Sequence, residues 1–527
     1  LEVLVIYALK LLFPVLVIAG LAWVGLRAAF STLLTRIEYQ RAFSLVVVAT
    51  IVVFLGQSTM LYSIGIGIVA IIAQSVLGGG LRGKLAAFML LIMVLPPLTW
   101  QAGGLGDINY LLAITGPRIL AIVLLIGPAL KLLGDRTYKR EPWVFWVDIA
   151  LFGYQALKIL LMVPHNTTTG LLRMVVESFL DVLLPYYVVS RGIRTETDLR
   201  FHLSHLVLGL AFTAAVGVTE FFVHRNLYTE LQWLYAYKWQ LTMTLMRGEH
   251  LRVQAATPQP IVMAFEMIFA VGVWTYLRGH DWRRLSVAAV YALMIGSLIF
   301  TFSRGPWIGG IVFGICLLGL RKLKAGTFAW TFTAVLIAGV ILKAMGADQV
   351  VITALGAIFG SSEADLSSIN YRSELLDTAL ALLQQSPWLG VPNYASQMQA
   401  LRQGEGIIDL VNSYIAIALD TGVIGLAIYV VPYIVTFRRM VRVSSTAAAE
   451  PGVAGPTWFI ATFLSLLIAC LLTIFTTSTF FTMPFLLVLL LALPIARLPM
   501  KNTTVDLALE IPAPGRYTSN GFPLIVR

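Results

Sequence analysis

Long apolar runs, separated by short polar or basic connectors, occupy most of this chain. A helix that crosses a bilayer needs about 20 apolar residues, with a range of about 17–25. On that scale the runs fall near 3–26, 42–56, 59–80, 85–101, 118–130, 143–163, 174–190, 203–223, 260–277, 285–303, 305–320, 327–345, 411–436, 457–476 and 478–496. Segments 42–56 and 118–130 are short for a crossing, so the pattern predicts about 12–15 membrane helices. The runs are continuous rather than alternating, which favours helices over a barrel. Two longer polar stretches, 224–259 and 346–410, interrupt the series. In the second, Leu375, Leu376, Ala379, Leu380, Leu382 and Leu383 recur at helical spacing. They predict an amphipathic helix on the bundle, capped by Asn370 and stopped by Pro387.

Composition sharpens this into an all-α polytopic membrane protein. Of 527 residues, 58% are hydrophobic and only 12% charged, against about a quarter charged in soluble domains. Basic clusters follow every second run: Arg27/Arg36/Arg41, Arg82/Lys84, Lys131/Arg136, Arg191/Arg194, Arg278/Arg283, Arg321/Lys322 and Arg438/Arg439. Basic residues concentrate in short cytoplasmic loops. The alternation therefore predicts that 224–259 and 346–410 lie outside and the tail 500–527 inside. The net charge of +11 is then an orientation signal and requires no nucleic-acid partner. We divide the chain into N-terminal membrane helices (1–203), a core with both outer loops (204–442), C-terminal helices (443–499) and a cytoplasmic tail (500–527). Segments 443–456 and 500–527, rich in small and polar residues, read as a flexible linker and tail.

The polar residues inside and between the runs are the candidates for chemistry. Lys158, Glu177, Asp181, Glu220, Glu266 and Lys343 fall within apolar runs, toward their outer ends. They either line a polar cavity opening outward or pair with one another to fix helix packing. Arg304 lies in Phe302-Ser303-Arg304-Gly305-Pro306-Trp307, a turn too tight for a true loop, with Pro306 in the first turn of the next helix. Gly305, Gly309, Gly310 and Gly314 give that helix small faces for close packing. Arg304 is either a bidentate clamp for phosphate or an interfacial anchor. Arg372 is placed in the first turn of the amphipathic helix, where a cation opposes the helix dipole, so a ligand there is expected. Loop 224–259 carries Trp233, Tyr235, Tyr237 and Trp239, then Arg247, Glu249, His250 and Arg252. Those aromatics suit an interfacial belt, with sugar stacking as the second reading. Gly78 to Lys84 spells a phosphate loop, but Leu85 replaces the Ser/Thr that would bind magnesium. No metal-ligand spacing occurs, and no metal or cofactor is expected.

With these residues in place, the chain resembles the O-antigen ligase/Wzy-type polymerase superfamily. The likeness rests on Ser303-Arg304-Gly305, on Arg372-x-x-x-Leu376, and on Pro387-Trp388-Leu389-Gly390. It also rests on Asn412-Ser413-Tyr414 followed by Asp420-Thr421-Gly422-Val423-Ile424-Gly425, and on Leu251-Arg252-Val253-Gln254 before Pro260. It covers roughly 220–440. The resemblance implies a metal-independent, inverting glycosyltransferase of the bacterial inner membrane with its site facing the periplasm. Its donor would be an undecaprenyl-diphosphate-linked oligosaccharide and its acceptor a glycan or glycolipid, with membrane lipids and other polysaccharide assembly proteins as partners. By position, Arg304, Arg372 and Arg252 would hold the diphosphate with Arg247 nearby, and Asn412 and Tyr414 would line the acceptor side. One departure matters: the ligases have His where this chain has Val411. Asp409 is the substitute base we expect, with Glu405 second, although Asp409 could equally cap the following helix. The missing His favours a polymerase of exopolysaccharide or O-antigen repeat units over a ligase acting on lipid A-core. A polysaccharide or lipid transporter is the alternative of another class, and predicts an internal repeat that the sequence does not display.

Overall fold

The structure is a computed structural model, and it describes residues 2–103, 110–135, 140–235, 244–247, 249–281, 283–322, 363–401, 410–447 and 455–498. The expected run 327–345 with Lys343, the candidate bases Glu405 and Asp409, the aromatics Tyr237 and Trp239, and the tail 500–527 lie outside these residues.

The chain is an α-helical bundle. It opens with α1 (Glu2–Phe30), α2 (Arg36–Leu55), α3 (Thr59–Val76) and α4 (Gly80–Leu91). Strands β1 (Thr99–Gly103) and β2 (Tyr110–Thr115) form an antiparallel hairpin, which leads into α5 (Gly116–Leu133). Next come α6 (Pro142–Leu161) and α7, which starts as Thr168–Ser178 and continues through a π turn at Phe179–Leu183 into Leu184–Gly192. Then follow α8 (Glu196–Val223), the short α9 (Leu231–Leu234) and a small hairpin of β3 (Met246–Arg247) and β4 (His250–Leu251). The second half holds α10 (Pro260–Arg278), α11 (Leu285–Phe300), α12 (Arg304–Lys322), α13 (Glu363–Gln385), α14 (Ser413–Ala447), α15 (Gly455–Ile474) and α16 (Met483–Arg497). Among the described residues, eight helices are long and apolar enough to cross a membrane, and four shorter apolar ones accompany them. The protein is therefore a multi-pass membrane protein of the all-α class.

Local chemistry explains the helix ends. Thr35 accepts the Glu38 N–H at 3.2 Å while Glu38 accepts the Thr35 N–H at 2.8 Å, a reciprocal cap that fixes the start of α2. The expected crossing 85–101 is corrected: its helix stops at Leu91, and the chain runs extended into β1. Pro96 and Pro97 lack N–H donors and force the preceding backbone out of helical geometry. The run is apolar because Leu85 to Leu95 are almost wholly buried in protein. Non-helical backbone is tolerated at membrane depth under that condition, and Thr213 donates to the Met93 carbonyl at 2.8 Å.

Several of the charges inside the runs meet polar partners. Arg118 meets Glu177 at 2.7 Å and Asp181 at 2.8 Å, and Glu266 accepts from the Thr482 hydroxyl at 2.5 Å. Between helices in lipid, close packing and polar contacts replace the hydrophobic drive. The α12–α15 contact illustrates this. A methyl group added at Gly305 or Gly309 would lie 2.1 Å from the hydroxyl oxygens of Thr476 and Thr473 respectively. One continuous core of buried apolar residues runs from Ala8 in α1 to Ala496 in α16.

Candidate functional site

The site is built at the bundle end where α8, α11 and α15 finish and α12 and α14 begin. Its first part is the turn between α11 and α12. Phe302 there has φ +50°, a left-handed conformation that costs a non-glycine residue energy. Two arginines from the preceding loop hold it. Arg252 donates from Nε to the Thr301 carbonyl at 2.9 Å and from Nη2 to Ser303 Oγ at 2.9 Å. Arg247 donates from Nη1 to the Phe302 carbonyl at 2.8 Å. The His250 ring stacks on Phe302 with centroids 5.3 Å apart and planes at 3°. Arg304 follows Ser303 and opens α12. Sequence separation of about fifty residues thus collapses, and Arg247, Arg252 and Arg304 meet on one turn.

The second part is the start of α14. Asn412 caps it: its Oδ1 accepts the N–H of Tyr414 at 3.0 Å and of Ile415 at 3.2 Å. Ser413 donates both its N–H (3.1 Å) and its hydroxyl (2.7 Å) to the Thr477 carbonyl. The Tyr414 hydroxyl donates to the Leu471 carbonyl at 2.9 Å. Asn412 and Tyr414 were expected on the acceptor side. The oxygen of one and the hydroxyl of the other are engaged in setting the helix. Thr476 touches Gly305 and Thr477 receives Ser413, so consecutive residues just past the end of α15 join the arginine turn to the Asn412 motif.

The third part is the overlying helix α13. Leu375, Ala379 and Leu382 pack with Met398 and Leu419, and Leu410 and Ile415 join the same cluster. This is the predicted apolar stripe, and the helix ends at Gln385 as Pro387 requires. Its start is corrected: α13 begins at Glu363, so Asn370 does not cap it and Arg372 stands well inside rather than in the first turn. With Arg372 inside the helix, the helix dipole gives no reason to expect a ligand there. What remains is its place beside Tyr371, whose hydroxyl donates to the Leu401 carbonyl at 2.7 Å.

A lock between two glycine motifs holds this layer down. At Gly422 (φ +68°, ψ −173°) the helical path of α14 breaks. The freed N–H groups of Val423 and Ile424 donate to the carbonyls of Pro387 (2.9 Å) and Trp388 (3.3 Å), and Val391 N–H donates to the Leu419 carbonyl at 2.6 Å. Both glycine motifs are visible in the sequence, but their union is not. Thr476 and Thr477 are marked there only by the hydroxyl-rich run Thr476 to Thr479 in an apolar setting. An apolar cleft of about 590 Å³ opens between α1, α8 and α11. Phe13, Leu21, Leu26, Val218 and Leu293 line it, and Leu227 is the lining residue from the loop after α8.

Fold and site together define a multi-pass helical membrane protein with an arginine-bound turn beside a capped, broken helix. Residues 289–430 match the family model Wzy_C, described as O-Antigen ligase. This stretch is thus similar to the O-antigen ligase family, and the match supports a membrane glycan ligase or polymerase in general. The matched stretch includes Arg304, Arg372, both glycine motifs and Asn412. No curated protein matches the chain.

Proposed function

We propose that this protein polymerises undecaprenyl-diphosphate-linked repeat units into exopolysaccharide or O-antigen on the periplasmic face of the bacterial inner membrane. The observation that carries the reading is the grip of Arg247 and Arg252 on the turn that ends in Arg304, inside a core that we assign to 204–442. Guanidinium groups bind phosphate oxygens bidentately and stay charged. As the anomeric C–O bond breaks, its electron pair leaves with the diphosphate, and the arginines stabilise the growing negative charge. The acceptor hydroxyl attacks the anomeric carbon from the opposite face, which inverts it, and gives its proton to a carboxylate, Asp409 first and Glu405 second. The cleft between α1, α8 and α11 suits the donor's apolar chain. No step in this scheme calls for a metal.

A ligase that moves a finished glycan to lipid A-core is the second reading, favoured by the description of the matching family. Val411 at the ligase His position supports the polymerase instead. Reconstitution with an undecaprenyl-diphosphate oligosaccharide separates them. A ladder of longer lipid-linked products is expected. Transfer only to added lipid A-core would make the protein a ligase, and an unchanged donor that crosses the bilayer would make it a transporter.

A further inference from the structure

Glu220 is wholly buried near the end of α8. Its carboxylate collects backbone N–H groups from two separate loops: Leu227 on Oε1 at 2.8 Å, and Gln254 and Ala255 on Oε2 at 3.1 and 2.8 Å. Burying a carboxylate is costly unless such donors compensate it, and bonds to a charged acceptor are the strong ones. Ala255 has φ +47°, and this reversal lets two successive N–H groups converge on one oxygen, as in anion-binding nests. The strap is tied twice more: Gln254 Nε2 donates to Thr229 Oγ1 and Thr257 Oγ1 donates to the Gln254 carbonyl, both at 2.7 Å. Arg252 is two residues before Gln254. Between them, Val253 N–H is fixed on the Phe300 carbonyl at 3.2 Å. The backbone that aims Arg252 at the turn therefore ends on Glu220.

We propose that Glu220 is a positioning residue for diphosphate binding: an internal anion that holds Gln254 and Ala255 and through them sets the Arg252 guanidinium. The proposal rests on the reading of the arginine turn as the diphosphate site. It separates Glu220 from a general packing role, because its effect must pass through Arg252.

The test is a double-mutant cycle in lipid nanodiscs, read by binding of radiolabelled undecaprenyl diphosphate. Glu220→Gln keeps the volume but sets an amide against N–H donors, and should weaken binding about tenfold, the size of one charge-assisted hydrogen bond. Arg252→Ala should weaken it at least as much, and the double variant should match Arg252→Ala, since residues acting as one unit are not additive. Thr229→Val loosens the same strap without touching the buried carboxylate. It should give a smaller loss that also vanishes in the Arg252→Ala background, so the cycle survives poor folding of Glu220→Gln. Multiplying losses, or wild-type binding by both Glu220→Gln and Thr229→Val, would overturn the role of Glu220 alone. If Arg252→Ala itself binds undecaprenyl diphosphate like the wild type, the diphosphate reading falls and the proposal with it.

Discussion

Val411 occupies a left-handed conformation, φ +50°, which is an outlier for a β-branched residue. It stands between Leu410, seated in the cluster under α13, and Asn412, the cap of α14. Both neighbours are pinned, so the strain of about 1–3 kcal/mol has nowhere to relax. Asn and His enter this region far more readily than Val, so the local backbone suits the His of the ligases better than the residue present. Val411→Asn should therefore raise the thermal unfolding midpoint in detergent, by roughly 1 kcal/mol of stability. A lower midpoint would show that Val411 is unstrained. The arginines make a second prediction at this scale. Arg304→Ala and Arg372→Ala should abolish long glycan while the protein stays in the membrane, and normal chain lengths in both would remove the clamp. Arg252→Lys keeps the charge but cannot reach Thr301 and Ser303 together as the guanidinium does. It should lose about tenfold in activity with membrane content unchanged.

At the scale of elements, the break in α14 at Gly422 and the loop at Gly390 form one device. A methyl group at Gly422 would lie 2.0 Å from the Trp388 carbonyl oxygen, and one at Gly390 would lie 2.4 Å from the Leu419 carbonyl oxygen. Backbone atoms cannot swing aside as a flexible side chain can. Gly422→Ala should cost about 3 kcal/mol or more through overpacking and a forced positive φ, read as loss of folded protein in thermal unfolding. Gly314→Ala, which meets nothing within 4 Å, is the control and should change little. A tolerated Gly422→Ala would mean that α13 is not held by this lock. The two motifs were legible in the sequence because glycine marks backbone that other residues avoid. Their pairing was not, because bonds between segments some thirty residues apart leave no periodicity. The same limit misjudged 85–101, where an apolar run records burial without recording what buries it. It also misplaced the start of α13, since the apolar stripe of Leu375 to Leu383 marks a buried face and not a helix end.

For the whole molecule, the decisive property is that the parts of the site share one end of the bundle. α12 starts where α11 finishes, and the segment just past α15 touches both Gly305 and Ser413. The basic connectors, such as Arg82 beside Asp198 and Arg194 beside Asp135, belong to the other end, before α8 begins its run toward Glu220. Charge asymmetry of this kind sets orientation during insertion, so the site end should face away from the cytoplasm. Single cysteines at the exposed positions His250, Glu374 and Asn393 should react with a membrane-impermeant thiol reagent added outside intact spheroplasts. Cysteines at the exposed Arg82 and Arg194 should react only after the membrane is opened. The native Cys316 and Cys470 are both buried, which keeps the background low. Labelling of His250→Cys and Glu374→Cys from opposite sides would separate the arginine turn from α13, and a single diphosphate site could not then draw on both.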